Sequence, residues 1–163
     1  MHSYRPVLAV LLALSAAPLP AHTVSFIVGE TGLSREAPSS DASNRWETGL
    51  MDAFFDAGHI VSNAPILRLG SPAREELPPE FMRDFYDARE GGVEFLILAL
   101  LDYRAWDGRG PLEPRRVSLR VFRVTPYQFV VEEQFPLPGR IPDPDILVNA
   151  RQAGRMLLAH LKD

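Results

Sequence analysis

The sequence predicts a single α/β domain of α+β layout. Its elements follow in the order β, α, β, α, β, β, α, with a mixed sheet that ends in an antiparallel hairpin and helices packed on it. Three observations predict this. Phe95 to Leu101 is an unbroken apolar run, Arg116 to Val121 alternates polar with apolar residues, and three other stretches repeat apolar residues at helical spacing between start and stop signals.

Residues 1 to 21 stand apart from the domain. MHSYRPVLAVLLALSAAPLPA carries Arg5 in a positive n-region, an apolar stretch from Val7 to Ala17, the helix breakers Pro18 and Pro20, and the small residue Ala21. A helix needs about 20 apolar residues to span a bilayer, so this segment reads as a cleaved secretory signal and not as an anchor. The expected mature domain covers 22 to 163, begins at His22, has no transmembrane segment and is periplasmic or secreted.

The chain has no cysteine. That excludes a disulfide framework, a thiolate nucleophile, Cys-ligated zinc and a lipidated lipoprotein cysteine. Stability must come from burial, and a domain of this length buries roughly 70% of its unfolded surface. The formal net charge is −4, and loss of Arg5 makes it more negative. Nucleic-acid binding needs a basic surface, so it is not expected.

HTVSFIVG (22 to 29) is a β-branched, aromatic run closed by glycine, which predicts a strand. ETGLSREAPSSDASN has no period and reads as a surface loop. Trp46, Leu50 and Phe54 then recur every four residues, with Ser43 or Asn44 as the expected cap and Gly58 as the stop. HIV (59 to 61) and ILRL (66 to 69) are interrupted by Asn63 and Pro65, so one short strand is expected there.

Pro78 and Pro79 suit a helix start, and Phe81, Met82, Phe85 and Tyr86 follow at helical spacing before Gly91 and Gly92. The run from Phe95 to Leu101 lacks alternation, as a central strand covered on both faces does. From Asp102 the pattern turns polar, and the strand is expected to leave the core. Val117, Leu119 and Val121 alternate with Arg116, Ser118 and Arg120, predicting one buried and one solvated face. TPYQ reads as a turn and FVVEEQFPL as the return strand. Asp143 and Pro144 then open a last helix striped by Ile146, Ala150, Ala153, Leu157 and Leu161.

With GGVEFLILALLDY as its third strand and RRVSLRVFRVTPYQFVVEEQF as its hairpin, this order resembles a family of envelope domains. These are the amino-terminal domain of the periplasmic Tol-system protein TolB and its relatives in LpoB-type activators of peptidoglycan synthases and CsgG-type assembly proteins. The resemblance implies an exported α/β domain that works by binding. This chain departs from the pattern at Glu94, where Asp is usual, at Pro126, where Gly follows the turn threonine, and in lacking a proline-phenylalanine end to the first strand.

No G-x-S-x-G elbow is present, and His59 and His160 stand on no recognisable catalytic spacing, so a Ser-His enzyme is not expected. Glu132 and Glu133 are adjacent in a strand and point to opposite faces. Asp143 and Asp145 flank a helix start, where capping explains them. A small carboxylate-dependent hydrolase is therefore the weaker reading. Arg116, Ser118 and Arg120 share one face and can meet Glu132 across the hairpin. With Trp106 they are the candidate contacts for an envelope protein partner, and a homo-oligomer is a further partner expectation.

One metal candidate remains. Cleavage after Ala21 would make His22 the N-terminus, and its α-amine and imidazole with a second imidazole could bind Cu(II). No recognisable spacing supplies that second ligand. The sequence therefore predicts a non-catalytic exported binding domain with no cofactor, accessory to cell-envelope assembly or maintenance.

Overall fold

The computed structural model describes residues 21–34, 37, 40–69, 76–103, 112–137 and 143–161. Residues 1–20, which carry most of the expected leader, and Trp106 lie outside the described residues. Strand β1 (Thr23–Thr31) leads to helix α1 (Asp41–Asp56), then to two short strands, β2 (Ile60–Asn63) and β3 (Leu67–Arg68). A 3₁₀ turn over Pro79–Phe81 opens α2 (Met82–Glu90), which is followed by β4 (Phe95–Tyr103), β5 (Pro114–Arg123), β6 (Gln128–Pro136) and α3 (Asp143–Leu157). No described helix is long and apolar enough to cross a membrane.

The sheet runs β2-β1-β4-β5-β6, with β3 also pairing β1. β1 is parallel to β2, β3 and β4, while β4–β5 and β5–β6 are antiparallel. The fold is the expected α/β class with a mixed sheet and a closing hairpin. The 59 to 69 region differs from expectation: it forms two strands rather than one. Both lie along β1, with Asn63 opposite Phe26 and Leu67 opposite Gly29, and the break between them falls at Ala64–Pro65–Ile66, where Pro65 has no N–H to continue a ladder.

β1 and β4 are buried along nearly their whole length, as a strand covered on both faces must be. On one face Val24, Phe26, Val28, Ile97, Leu101, Val117, Leu119 and Val121 meet Trp46, Leu50 and Phe54 of α1 and Ile146, Ala150 and Leu157 of α3. On the other, Ile27, Leu96, Leu98 and Phe122 meet Phe81, Phe85 and Ala88 of the second helical segment. Both β4 faces are core. Tyr103 is buried too, so the strand does not leave the core at Asp102 as its polarity suggested; a hydroxyl network described below accounts for it.

Helix α1 starts at Asp41, with Ser40 in the cap position and no side-chain cap bond. The predicted caps, Ser43 or Asn44, both lie inside the first turn, and Ser43 is fully buried there because its hydroxyl is required elsewhere. α1 and α3 pack side by side through small residues, Gly49 against Ala150 and Gly154 against Ala53. A Cβ at Gly49 would lie 2.6 Å from the Ala150 Cβ and 2.9 Å from the Leu147 carbonyl oxygen. Asp52 and Arg151 clamp the same seam, with Arg151 Nη2 donating to Asp52 Oδ2 over 2.6 Å.

In an exposed helix a glycine-to-alanine change gains about 1 kcal/mol. Here overpacking dominates, and Gly49→Ala is expected to lose about 1–3 kcal/mol, read as a lower urea midpoint at unchanged slope. A midpoint at or above that of the wild type would contradict the close α1–α3 contact.

Candidate functional site

The second helix and the sheet differ in length, and that difference creates the site. Nine residues of α2 extend about 14 Å, whereas nine residues of β4 extend about 30 Å. α2 therefore covers Leu96, Leu98 and Phe122, but no described helix lies over the far half of this face. Thr31, Leu100, Asp102, Arg116, Ser118, Arg120, Glu132 and Gln134 line an open depression of about 160 Å³ there.

The hairpin register brings the sequence-predicted residues together. Arg120 stands opposite Glu132 and Ser118 opposite Gln134. The Ser118 hydroxyl donates to Glu132 Oε1 at 2.5 Å, Gln134 Nε2 donates to the same oxygen at 3.1 Å, and Arg120 Nε lies 3.3 Å from it. Burial alone would raise the Glu132 carboxyl, but the hydrogen bonds of Ser118 and Gln134 and the Arg120 guanidinium hold it below its usual range.

Arg120 corrects the sequence reading. It was expected on a solvated face, yet it is 7% exposed, because its Nη1 donates to the Glu76 carbonyl oxygen at 3.0 Å and the segment ahead of α2 lies against it. Arg116 is the accessible member of the row, half-exposed, with Nη2 at 3.4 Å from Asp102 Oδ2. Arg115 Nε donates to that oxygen at 2.9 Å, and the Thr31 hydroxyl lies 3.3 Å from Asp102 Oδ1. Trp106, the remaining partner-contact candidate, lies outside the described residues.

Thr31 and Asp102 connect this depression to the point where the sheet reverses its winding. From β1 the chain moves to β2 through α1 on one face, then crosses by α2 on the other face to β4, on the opposite side of β1. Open α/β sheets bind ligands beyond the carboxyl ends of the strands at such a reversal. Here those ends are Thr31 and Tyr103.

Directly behind lies a buried polar network that sequence reasoning missed. Glu30, 3% exposed, accepts from the Ser43 hydroxyl at 2.7 Å and from Arg68 Nε at 3.0 Å. The Tyr103 hydroxyl stands 2.7 Å from Ser43 Oγ and 2.8 Å from Ser40 Oγ. Burial pushes Tyr103 up to about 12, so it stays a neutral hydroxyl. Arg68 Nη1 also donates to the Ala37 carbonyl oxygen at 2.6 Å, which ties the loop after β1 to this network. Gly32, at φ 81°, makes the turn out of β1, and a Cβ there would meet the Tyr103 carbonyl oxygen. The sequence signal was only a polar residue ending an apolar strand.

The remaining candidates fall elsewhere. Glu133 points to the helix face, 3.7 Å from His160 Nε2, away from Glu132 as strand alternation requires. His22 is buried at the opposite end of the sheet, with Nδ1 2.6 Å from Glu94 Oε2 and its backbone N–H donating to His59 Nδ1 at 3.1 Å. Burial, with the neighbouring His22, holds the His59 imidazole below its ordinary pKa. Among the described residues no group of three or more His, Asp or Glu side chains is arranged to hold a metal ion.

These features define an open, reversing α/β sheet with a half-covered polar face. No protein-family model matches the chain, and no curated protein matches it. Among solved structures it is similar to the PelC dodecamer from Paraburkholderia phytofirmans, at 13% identity and a TM-score of 0.43 over 88% of this chain and 90% of that one. It is similar to TolB from Acinetobacter baumannii at 13% identity and a TM-score of 0.37, covering 86% of this chain and 28% of that one. The LpoB C-terminal domain from Salmonella enterica gives 10% identity and a TM-score of 0.38, over 76% and 88%. The resemblance to TolB and LpoB domains is present and weak.

The hydrogen bonds on Glu132 have a pH signature. With the folded value below the ordinary 4.5, the charged carboxylate stabilises the fold above about pH 4.5, and this contribution is lost as pH falls through the lower folded value. A carbon-detected NMR titration should place the Glu132 midpoint below 4.5 in the wild type and closer to it in Ser118→Ala. Equal midpoints in the two proteins would show that Ser118 does not hold this carboxylate.

Proposed function

We propose that the protein is a non-catalytic binding domain of the cell envelope that docks a partner protein through the open polar half of its sheet. The carrying observation is that Asp102 and Glu132 are each held by several donors, so the surface presents fixed donors and acceptors with little side-chain entropy left to lose on binding. A general acid or base needs room to exchange its proton with substrate. These two carboxylates are instead oriented by Arg115, Arg116, Arg120 and Ser118, an arrangement suited to recognition. Arg116 and Gln134, the accessible members, would form the contact rim. The leader read at residues 1 to 21 supports an exported protein, and the element order supports the envelope setting.

A photo-crosslinking residue at Gln134 tests this reading in intact envelopes. One discrete adduct is expected, reduced at least about tenfold by Arg116→Glu in a protein whose circular dichroism is unchanged, since a reversed rim charge meets like charge on the partner. No adduct, or the same adduct from a crosslinker at the exposed Arg83 on α2, would refute docking through this face.

A further inference from the structure

At the other end of the sheet, the start of β1 places two histidines in a way the docking function does not use. His22 precedes the first residue of β1, and its carbonyl accepts from the Ile60 N–H at 2.9 Å, so the β2 ladder fixes the His22 backbone beside the residue that follows His59. The His22 backbone nitrogen then lies 3.1 Å from His59 Nδ1. The two imidazoles stack with centroids 5.5 Å apart and planes inclined by 19°. Phe95 packs edge-on against His22 at 5.1 Å, and Phe54 lies 5.9 Å from the His59 ring. Both rings are held before any ligand arrives.

While Ala21 precedes it, the His22 nitrogen is an amide and a poor ligand. Cleavage after Ala21 would make it an α-amine, which changes the chemistry at this point alone. We propose that the processed protein binds one Cu(II) ion through the His22 α-amine, His22 Nδ1 and His59 Nδ1. Two nitrogens about 3 Å apart are spaced as neighbouring ligands of one ion at metal–nitrogen bonds of about 2.0 Å. An amine and Nδ1 of one histidine close a six-membered chelate ring, and a tetragonal nitrogen set favours Cu(II) over the other divalent first-row ions.

The third donor is a main-chain amine, so the site does not need a cluster of three side chains. Glu94 holds His22 Nδ1 in the metal-free protein and must release it. Its side chain is 52% exposed, so it can rotate outward and leave its negative charge beside the ion. Binding releases the amine proton and, where Nδ1 carries the imidazole proton, moves that proton to Nε2 or to solvent.

The test uses the protein exported and processed by its own leader. Intact mass should give a chain beginning at His22, and calorimetry with Cu(II) alone should give one ion per chain, with an electron paramagnetic resonance spectrum showing nitrogen coupling. His59→Ala should bind at least about 100-fold more weakly. His22→Ala keeps an α-amine at the same position but removes the imidazole of the chelate ring, and it should lose the site to the same extent. A mature N-terminus at any other residue overturns the proposal, as does Cu(II) affinity unchanged by His59→Ala or by His22→Ala.

Discussion

Eight residues of β1, Val24 to Thr31, pair in parallel with Phe95 to Asp102 of β4; both strands are buried on both faces, and β4 is apolar on both for most of that length. Parallel strands of this kind are stable only when helices cover each face. The chain meets the constraint with α1 and α3 on one side and α2 on the other, which forces the winding to reverse between β1 and β4. The position of the site follows. A crevice opens where the connections diverge, at the carboxyl ends of the two strands that form the core.

The two faces are covered unequally, and that inequality separates structural from recognition chemistry. α1 and α3 are long, approach closely through Gly49 and Gly154, and bury the β1, β4 and β5 residues on their side. α2 is short, so the polar residues of β5 and β6 remain beside Asp102 with only Leu100 as an apolar floor. At the crevice, burial of Glu30 would be costly without partners. Ser43 and Arg68 supply them, and Tyr103 extends the network to Ser40 at the start of α1. The polar end of the sheet, at the ends of β1 and β4, is thereby joined to a helix start.

The sequence made much of the fold legible because its strongest signals were long. The seven-residue apolar run could be only core, the alternation in β5 fixed which residues face α1 and α3, and the register then placed Arg120 opposite Glu132. What could not be read depended on contacts distant in sequence. Ser43 resembled a cap because its partner Tyr103 lies 60 positions further on. Arg120 resembled a solvated residue because the Glu76 carbonyl that binds it comes from another segment. β2 and β3 could not be separated without knowing that both align with β1. His59 likewise stood on no ligand spacing, since only the β1–β2 ladder brings it to His22.

Native-state amide hydrogen exchange measures the central claim most directly, because a strand paired on both edges and buried on both faces opens only with the whole molecule. The amides of Leu96 to Leu101 in β4 should exchange with the free energy of global unfolding and share its denaturant dependence, while those along the outer edge of β6 exchange by local opening. If Leu96 to Leu101 exchanged as readily as the β6 edge, β4 would not be the centre of the fold, and the winding reversal and the site at its carboxyl end would lose their basis.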